Sequence, residues 1–438
     1  MNKSSMRLLV AVGLIALLAC SWFMLISNTQ KANNAYMTQL DAARAKIKQG
    51  LYEDALDFYA AATEQRDSIE LRDEIAQVYQ DNAGTMAYES YCEDMIEDYP
   101  LEVIGYERLA ALYRDTGAYD SCFNIIETVR KRALPSDKID AIEEELAYAY
   151  DLERCGAVKV ENFSSGFCAV QYKTGEWSYL TSLGGGYTAG SYQKAGAFTS
   201  SGLAPVQLRD GGFALIDISG RLKSRSPEGV EVEDCTPLLS GMMAVKYDGK
   251  YHYCNSLFEE LFGAYDYAGS FYGGVAAVME GDKWGIIGEN GDKITDFIFE
   301  DIKLDDKGIA FRNGRAFAKI NGSYTLIDTK GKQVGKSVWE DVDAFNADMI
   351  AAVMKDGKWG FIDADGKVVV DYQYEMAQSF ANGMAAVMVG EKWGYIGAED
   401  FGMKIQPAFN AARDFSSEGT TFVIDGERWR LLRIYRLT

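Results

Sequence analysis

The side chains that most often do chemistry are scarce or unpatterned in this chain. One histidine, His252, serves 438 residues, so Ser-His-Asp and Cys-His relays are disfavoured and a His-rich metal site is ruled out. The seven cysteines (Cys20, Cys92, Cys122, Cys155, Cys168, Cys235, Cys254) are irregularly spaced and form no CxxC. Neither a zinc knuckle nor a redox pair is indicated, and most fit as small apolar core residues rather than a disulfide framework. Carboxylates are abundant: 65 Asp and Glu face 44 Lys and Arg, a net charge of −21. Abundance singles out no glycosidase-type acid/base pair. No loop carries the spaced oxygen ligands and closing Glu of a calcium site. Phosphate loops, dinucleotide fingerprints, nucleophile elbows and zincin helices are likewise missing from the sequence. The expectation is a chain with no cofactor and no metal, and not an enzyme. Its charge repels nucleic acid and keeps it soluble, and the sharper reading of that charge is a cationic partner.

One reactive candidate sits near the start. Leu8 to Ile26 is almost continuously apolar, and nineteen residues rising about 1.5 Å each match a bilayer core. Lys3 and Arg7 precede it, which predicts a transmembrane signal anchor over residues 1–30, with the bulk of the chain extracytoplasmic at the cell membrane. A cleaved signal peptide would have a shorter apolar core and a small-residue cleavage site. Leu17-Leu18-Ala19-Cys20 resembles a bacterial lipobox, which makes Cys20 the candidate for lipidation, but Trp22 to Ile26 stays apolar where a mature lipoprotein turns polar.

Residues 31–155 are expected to form helical repeats. Ala43 to Ala62 and Ala110 to Val129 align without a gap: Ala43, Gly50, Tyr52, Ala55, Tyr59 and Ala62 match Ala110, Gly117, Tyr119, Cys122, Ile126 and Val129. This order resembles the tetratricopeptide repeat, which packs two antiparallel helices in each repeat of about 34 residues. The resemblance implies turns at Gly50 and Gly117 in left-handed backbone, close helix crossings at Ala55 and its equivalents, and Tyr52 and Tyr119 filling the gap beside the next helix. The separation of the two glycines is close to two such repeats, which places a middle turn near Asn82-Ala83-Gly84. A capping helix is expected over Ile139 to Leu152. The family implies a concave groove for a protein or peptide, and a purely spacing role competes with that.

Residues 156–438 carry a second repeat. Gly274 to Val278 runs to Lys283-Trp284-Gly285, Met349 to Val353 to Lys358-Trp359-Gly360, and Gly383 to Val387 to Lys392-Trp393-Gly394. In each, Trp lies at the sixth position after Val. The same offset links Val423 to Trp429, and at the front it stretches by one from Val170 to Trp177. The anchors fall at 170, 206, 245, 278, 318, 353, 387 and 423, so their intervals run from 33 (245 to 278) to 40 (278 to 318). A closing signature follows, an aromatic with a small or apolar residue at three and an apolar one at six, as in Tyr374, Ala377 and Phe380. An acidic or polar residue commonly follows that aromatic. The run resembles the WG repeat family of bacteria, strongly near 284, 359 and 393 and more weakly where Gly is replaced by Ser178, Ala214, His252, Thr325 or Arg430. The units read as short strands with Gly turns, and Asp217, Asp328 and Asp363 read as turn-formers. The recurring Trp residues read as packing between units.

The predicted fold is therefore multidomain, with a transmembrane helix, a TPR-like α-solenoid, and an all-β WG-repeat domain of seven to eight units. That domain is either a propeller-like ring or an open β-solenoid. Val158 to Phe163 reads as a tail without a head and Thr420 to Leu437 as a head without a tail, so joining them would seal a ring. The leading function is non-catalytic protein interaction or scaffolding with a protein, peptide or cell-envelope partner. The second is binding of a glycan or cell-wall ligand through exposed aromatics. The third is hydrolysis on a propeller scaffold. A mouth lined by Trp, Tyr and Asp favours the second, an apolar helical groove the first, and carboxylates clustered in a central pocket the third.

Overall fold

The structure, a computed structural model, describes residues 3–183 and 186–435, and the chain divides into two compact units, 1–147 and 148–438.

The first unit holds seven helices among the described residues: α1 (Lys3–Lys48), α2 (Tyr52–Gln65), α3 (Ile69–Asn82), α4 (Thr85–Asp98), α5 (Ile104–Thr116), α6 (Tyr119–Lys131) and α7 (Asp137–Glu145). Helix–turn–helix pairs turn at the three expected places. Gly50 (φ 72°) and Gly117 (φ 73°) are left-handed, with open space where a Cβ would lie, so φ rather than crowding calls for glycine. Gly117 N–H bonds to Arg114 O and Ala118 N–H to Tyr113 O, satisfying carbonyls at the end of α5. The middle turn is built differently, since Gly84 has φ −69° and simply starts α4. Ala43, Ala55, Ala110 and Cys122 are completely buried, and Cys122 Sγ lies 3.3 Å from Ala110 O, the close helix approach that small residues permit. Tyr52 departs from expectation. It is 38% exposed and fills no gap, because it is the first residue of α2 and points outward from the turn.

The predicted membrane span does not hold. No helix among the described residues is long and apolar enough to cross a bilayer. α1 is one 46-residue helix that runs on into Asn-, Gln- and Lys-containing sequence and ends at Lys48. Its described side chains start at Ser21 and include exposed Trp22 and Met24, and the helix turns polar within a few residues of them. The single-pass, extracytoplasmic placement rested on that span. The side chains of residues 1–20, Cys20 among them, lie outside the described set.

The second unit is an eight-bladed β-propeller of antiparallel sheets. Blade 7 shows the plan: Met376–Ala377, Met384–Val389, Lys392–Gly397 and Met403–Phe409 pair in chain order, and blades 1, 2, 3, 6 and 8 are also four-stranded. Blades 4 and 5 (strands within 267–288 and 301–328) have three regular strands. Their fourth edge is reduced to isolated bridges such as Trp284↔Phe299 and Tyr324↔Trp339.

The eight anchors occupy one register position. Val170 pairs with Val160, Val206 with Ala195, Val245 with Cys235, Val278 with Ala268, Ala318 with Ile302, Val353 with Val342, Val387 with Ala377, and Val423 with Ala412. The two sequence signatures also meet across strands, as Trp177↔Tyr192, Trp359↔Tyr374 and Trp393↔Phe409. Both signatures are thus one cross-strand aromatic pair plus the first strand of the next blade.

The acidic residue after the closing aromatic now has a cause. Glu340 accepts the Asp356 and Gly357 N–H groups, Glu375 those of Gly390 and Glu391, Glu300 that of Gly322, and Asp266 that of Gly281. Each carboxylate holds the tight hairpin of the following blade, where non-glycine Asp356 and Glu391 adopt positive φ.

Closure differs in detail from the sequence reading. The strand that completes blade 8 is Tyr150–Arg154, antiparallel to Arg428–Ile434 with Tyr150 opposite Ile434. It lies where the capping helix was expected. α7 ends at Glu145, and Lys159–Val160 is the inner strand of blade 1. N- and C-terminal segments thus share one sheet, which excludes the open solenoid. Asn162 and Asp414 seal the same seam by a reciprocal pair. Asp414 N–H donates to Asn162 Oδ1 and Asn162 Nδ2 to Asp414 Oδ2, both at 3.1 Å, while Arg413 Nη2 donates to Val160 O.

Candidate functional site

Most residues singled out in the sequence are structural. Trp359 and Trp393 are buried between neighbouring blades, Trp359 with Phe380 and Val387, and Trp393 with Phe415 and Val423. Trp177, Trp284 and Trp429 are half-buried, and the Arg413 guanidinium lies 5.6 Å from the centre of the Trp429 ring. The Gly after Trp permits backbone approach. A Cβ on Gly360 would stand 2.7 Å from Val370 O, and one on Gly394 2.5 Å from Ile405 O and 2.8 Å from Pro407 N. Both sit where the register slips against the outer strand, at a bulge. Gly285 differs, since the nearest atoms its Cβ would meet belong to the Phe297 ring, at 3.0 Å. Asp217, Asp328 and Asp363 each accept two backbone N–H groups of their own turn, as turn-formers do.

The structure brings together residues that the repeat pattern does not mark. All eight blades contribute to one cavity of about 300 Å³ on the propeller axis, through residues such as Asn162, Thr199, Tyr272, Asp306, Asn346 and Asp414. Its wall is fixed by bonds from blade to blade: Ser164 Oγ to Phe198 O (2.6 Å), Thr199 Oγ1 to Leu238 O (2.9 Å), Ser270 Oγ to Lys307 O (2.6 Å) and Asn382 Nδ2 to Phe415 O (2.6 Å). Three carboxyls gather near the axis. Burial pushes Asp414 up to about 8, and the negative charges of Asp343 and Asp306 push the same way against Lys307 and Arg413. Asp343, which accepts from Ser379 N–H and Ala344 N–H, is also raised by burial. Asp306 is open to the cavity yet walled by protein on most sides, which raises it too, with Lys307 and the Asn162 amide opposing. Neither Asp306 nor Lys307 has an ion-pair partner within 4 Å among the described residues.

A second cavity, about 420 Å³, adjoins the first and shares Tyr272, Arg312 and Ala347 with it. Arg312 lines both. Its guanidinium lies 4.5 Å from the Tyr272 ring centre and donates to Asp305 Oδ2 (2.7 Å), while its buried Nε has no hydrogen-bond partner. In the helical unit a separate hollow of about 340 Å³ lies between α2, α3 and α4, lined by Leu56, Tyr59, Ile75, Tyr79 and Tyr91 with Arg72 at its edge. Tyr79 and Tyr91 stack there at 4.7 Å. Among the described residues no group of three or more His, Cys, Asp or Glu side chains is placed to hold a metal ion.

No cavity-lining residue except Asn162 and Asp414 stands out in the sequence. In the eight units the second residue after the anchor's partner is Asn162, Ala197, Pro237, Ser270, Leu304, Ala344, Ser379 and Asp414. Only units one and eight, which meet at the seam, carry Asn and Asp, and that irregularity is the signal an alignment of the units offers.

The solved structures to which the chain is similar are remote. They include BamB from Moraxella catarrhalis (9% identity, 64% of this chain and 99% of that one, TM-score 0.43) and Sqt1 from Saccharomyces cerevisiae (12%, 66% and 98%, TM-score 0.40). The Dos1 propeller is at the same distance (11%, 66% and 95%, TM-score 0.40). Likenesses this distant carry no inference about function. No curated protein matches the chain. The model of the WG containing repeat matches residues 263–284, 324–359, 359–393 and 393–429. Those segments hold the buried Trp359 and Trp393, the close-approach Gly360 and Gly394, and the cross-strand pairs Trp359↔Tyr374 and Trp393↔Phe409, and this part of the chain is made of WG containing repeats.

Proposed function

We propose that the propeller is a non-catalytic recognition domain whose partner is another protein, docked over the cavity-bearing mouth of the ring. The observation that carries this reading is the convergence of all eight blades on one rigid, hydrogen-bond-lined opening. Repetition builds a ring, and the loops at its mouth are free to vary, which is where binding residues accumulate on a fixed scaffold. The tyrosine-lined hollow of the helical unit supplies a second surface of more apolar character, as a protein-binding reading asks.

The carboxylates at the axis do not favour hydrolysis. Asp414 is held by Asn162 and Asp343 by two backbone N–H groups, while Asp306 shares the Asn162 amide with Asp414 and otherwise faces the cavity. The glycan reading loses the WG tryptophans, which pack between blades, and keeps Tyr272, 40% exposed and lining the same cavity as Asp306. The test is affinity capture with the full chain beside its Asn346→Arg variant, which plugs the mouth with a bulky cation. A protein captured by the parent chain and lost by the variant supports the reading. Equal capture by both places the partner elsewhere and removes the mouth from the account.

A further inference from the structure

We infer that the axial cavity is a binding site for a neutral saccharide unit, held between Asp306, Lys307 and the Tyr272 ring. This rests on the second, glycan reading above and not on the protein-partner reading.

The cavity's chemistry selects the ligand class. Its lining is rich in short side chains that donate and accept together, among them Asn162, Asn346, Asn382, Ser165, Ser200 and Ser417, with Asp414 and Glu418 at the seam side. Asp306 and Lys307 are adjacent in sequence, line the same space and are not ion-paired to any described residue. They offer a charged acceptor beside a charged donor. A hydroxyl group both donates and accepts, so neighbouring hydroxyls of a sugar ring satisfy both, whereas a carboxylate or an ammonium ligand would be repelled by one of them. Arg312 contributes no free charge, because Asp305, whose side chain is 5% exposed, neutralises it at 2.7 Å. Tyr272, 40% exposed with the Arg312 guanidinium 4.5 Å from its ring centre, leaves one ring face for the C–H face of a sugar ring to stack on. About 300 Å³ is at the lower end for ligand cavities and accommodates one or two sugar rings rather than a folded element. The inter-blade bonds from Ser164, Thr199 and Asn382 fix the walls, so little ordering is needed on binding.

The full chain is probed by saturation-transfer difference NMR and calorimetry with glucose, galactose, N-acetylglucosamine and its β-1,4-linked dimer. A lysine-rich peptide and an aspartate-rich peptide serve as charged comparators. At least one saccharide is expected to bind. Asp306→Asn and Tyr272→Ala should each weaken it by about tenfold or more, the loss of one charge-assisted hydrogen bond or one stacking face. Lys307→Gln provides a second charge variant should Asp306→Asn unfold, as judged by tryptophan fluorescence. Binding is expected to survive Arg209→Gln, on an exposed hairpin of blade 2. The inference is overturned if none of the four saccharides gives transfer, or if one binds but ignores all three site variants. It is equally overturned if only a charged peptide binds and the site variants abolish that. This last result would leave the protein-partner reading standing, whereas sugar binding by a parent chain that captures no protein, or captures it equally with Asn346→Arg, would sink the partner reading alone.

Discussion

Replacing Asp414 with Asn should stabilise the protein at alkaline pH and leave it unchanged in acid. Asp414 sits at the seam between the last and first blades, half-buried, with its folded-state pKa at about 8 against 3.8 for an unperturbed Asp. Between those values the folded chain keeps a proton that the unfolded chain has released. Stability therefore falls as pH rises, by up to about 1.4 kcal/mol per pH unit for one proton. The group imposes no penalty below about pH 4, a growing one from about 4 to 8, and a constant one above. That interval caps the penalty at roughly 6 kcal/mol, and water in the cavity and the shared field of Asp343 and Asp306 reduce it to about half. Asparagine keeps the amide partner for Asn162 and cannot ionise. Urea unfolding is followed by tryptophan fluorescence, because six of the seven Trp residues lie in the propeller unit. Parent and variant should match near pH 4, and the variant should be more stable by about 2–3 kcal/mol near pH 8. The other titrating groups are present in both proteins, so the difference reads this carboxyl together with its coupling to Asp343 and Asp306. Parallel stability curves across that range would refute the placement of a neutral acid at the seam.

The close-approach glycines make a graded pair. Gly394→Ala drives a Cβ against backbone atoms and should cost about 2–4 kcal/mol, while Gly285→Ala meets a ring that can move and should cost under about 1, read as melting temperatures. Glu340→Ala leaves the Asp356 and Gly357 N–H groups without their carboxylate and should destabilise by about 1–2 kcal/mol, with Glu340→Gln in between. A fragment of residues 148–438 should be well folded, whereas one of 156–438 lacks the outer strand of blade 8. The shorter fragment should melt at least about 5 °C lower and be cut more readily near residues 428–434, as limited proteolysis would show.

Much of the architecture was legible because repeats repeat their reasons. An anchor recurring about every 35 residues, Val in seven units and Ala318 in the other, marks the strand that pairs with each blade's inner edge. Trp with its closing aromatic marks the cross-strand pair behind it. Gly50, Gly84 and Gly117 fell on turns because helix pairs of fixed length leave their breakers at fixed intervals. The failures share the opposite cause. Tyr150–Arg154 carries neither signature. It contributes to the ring only by pairing with Arg428–Ile434, at the far end of the chain, and nothing local distinguishes it from the end of a helix. The apolar stretch from Leu8 has the length and composition of a span, yet α1 is continuous through it into polar sequence. The cavity stayed invisible because its residues come a few per blade, and proximity across a ring leaves no spacing in the chain.

Symmetry itself separates scaffold from site. A residue type that recurs from blade to blade must satisfy a need the blades share: a hairpin cap at Glu340 and Glu375, a bulge at Gly360 and Gly394, a packing face at Trp359 and Trp393. A ligand on the axis meets each blade once and asks something different of each. Its contacts must therefore be the residues that break the pattern. Asn162 and Asp414 break it to close the seam, and their carboxyl is held neutral by burial and by the charges around it. Asp306 and Lys307 break it in blade 5, whose anchor Ala318 stands farther from its predecessor Val278 than any other anchor does from its own. The added residues form the loop that carries both charges into the cavity and ties back to blade 4 through Ser270. An insertion beyond the blade plan, lining the axial cavity and furnished with an acid and a base that no described residue engages in an ion pair, is the departure from symmetry that a ligand on the axis would read.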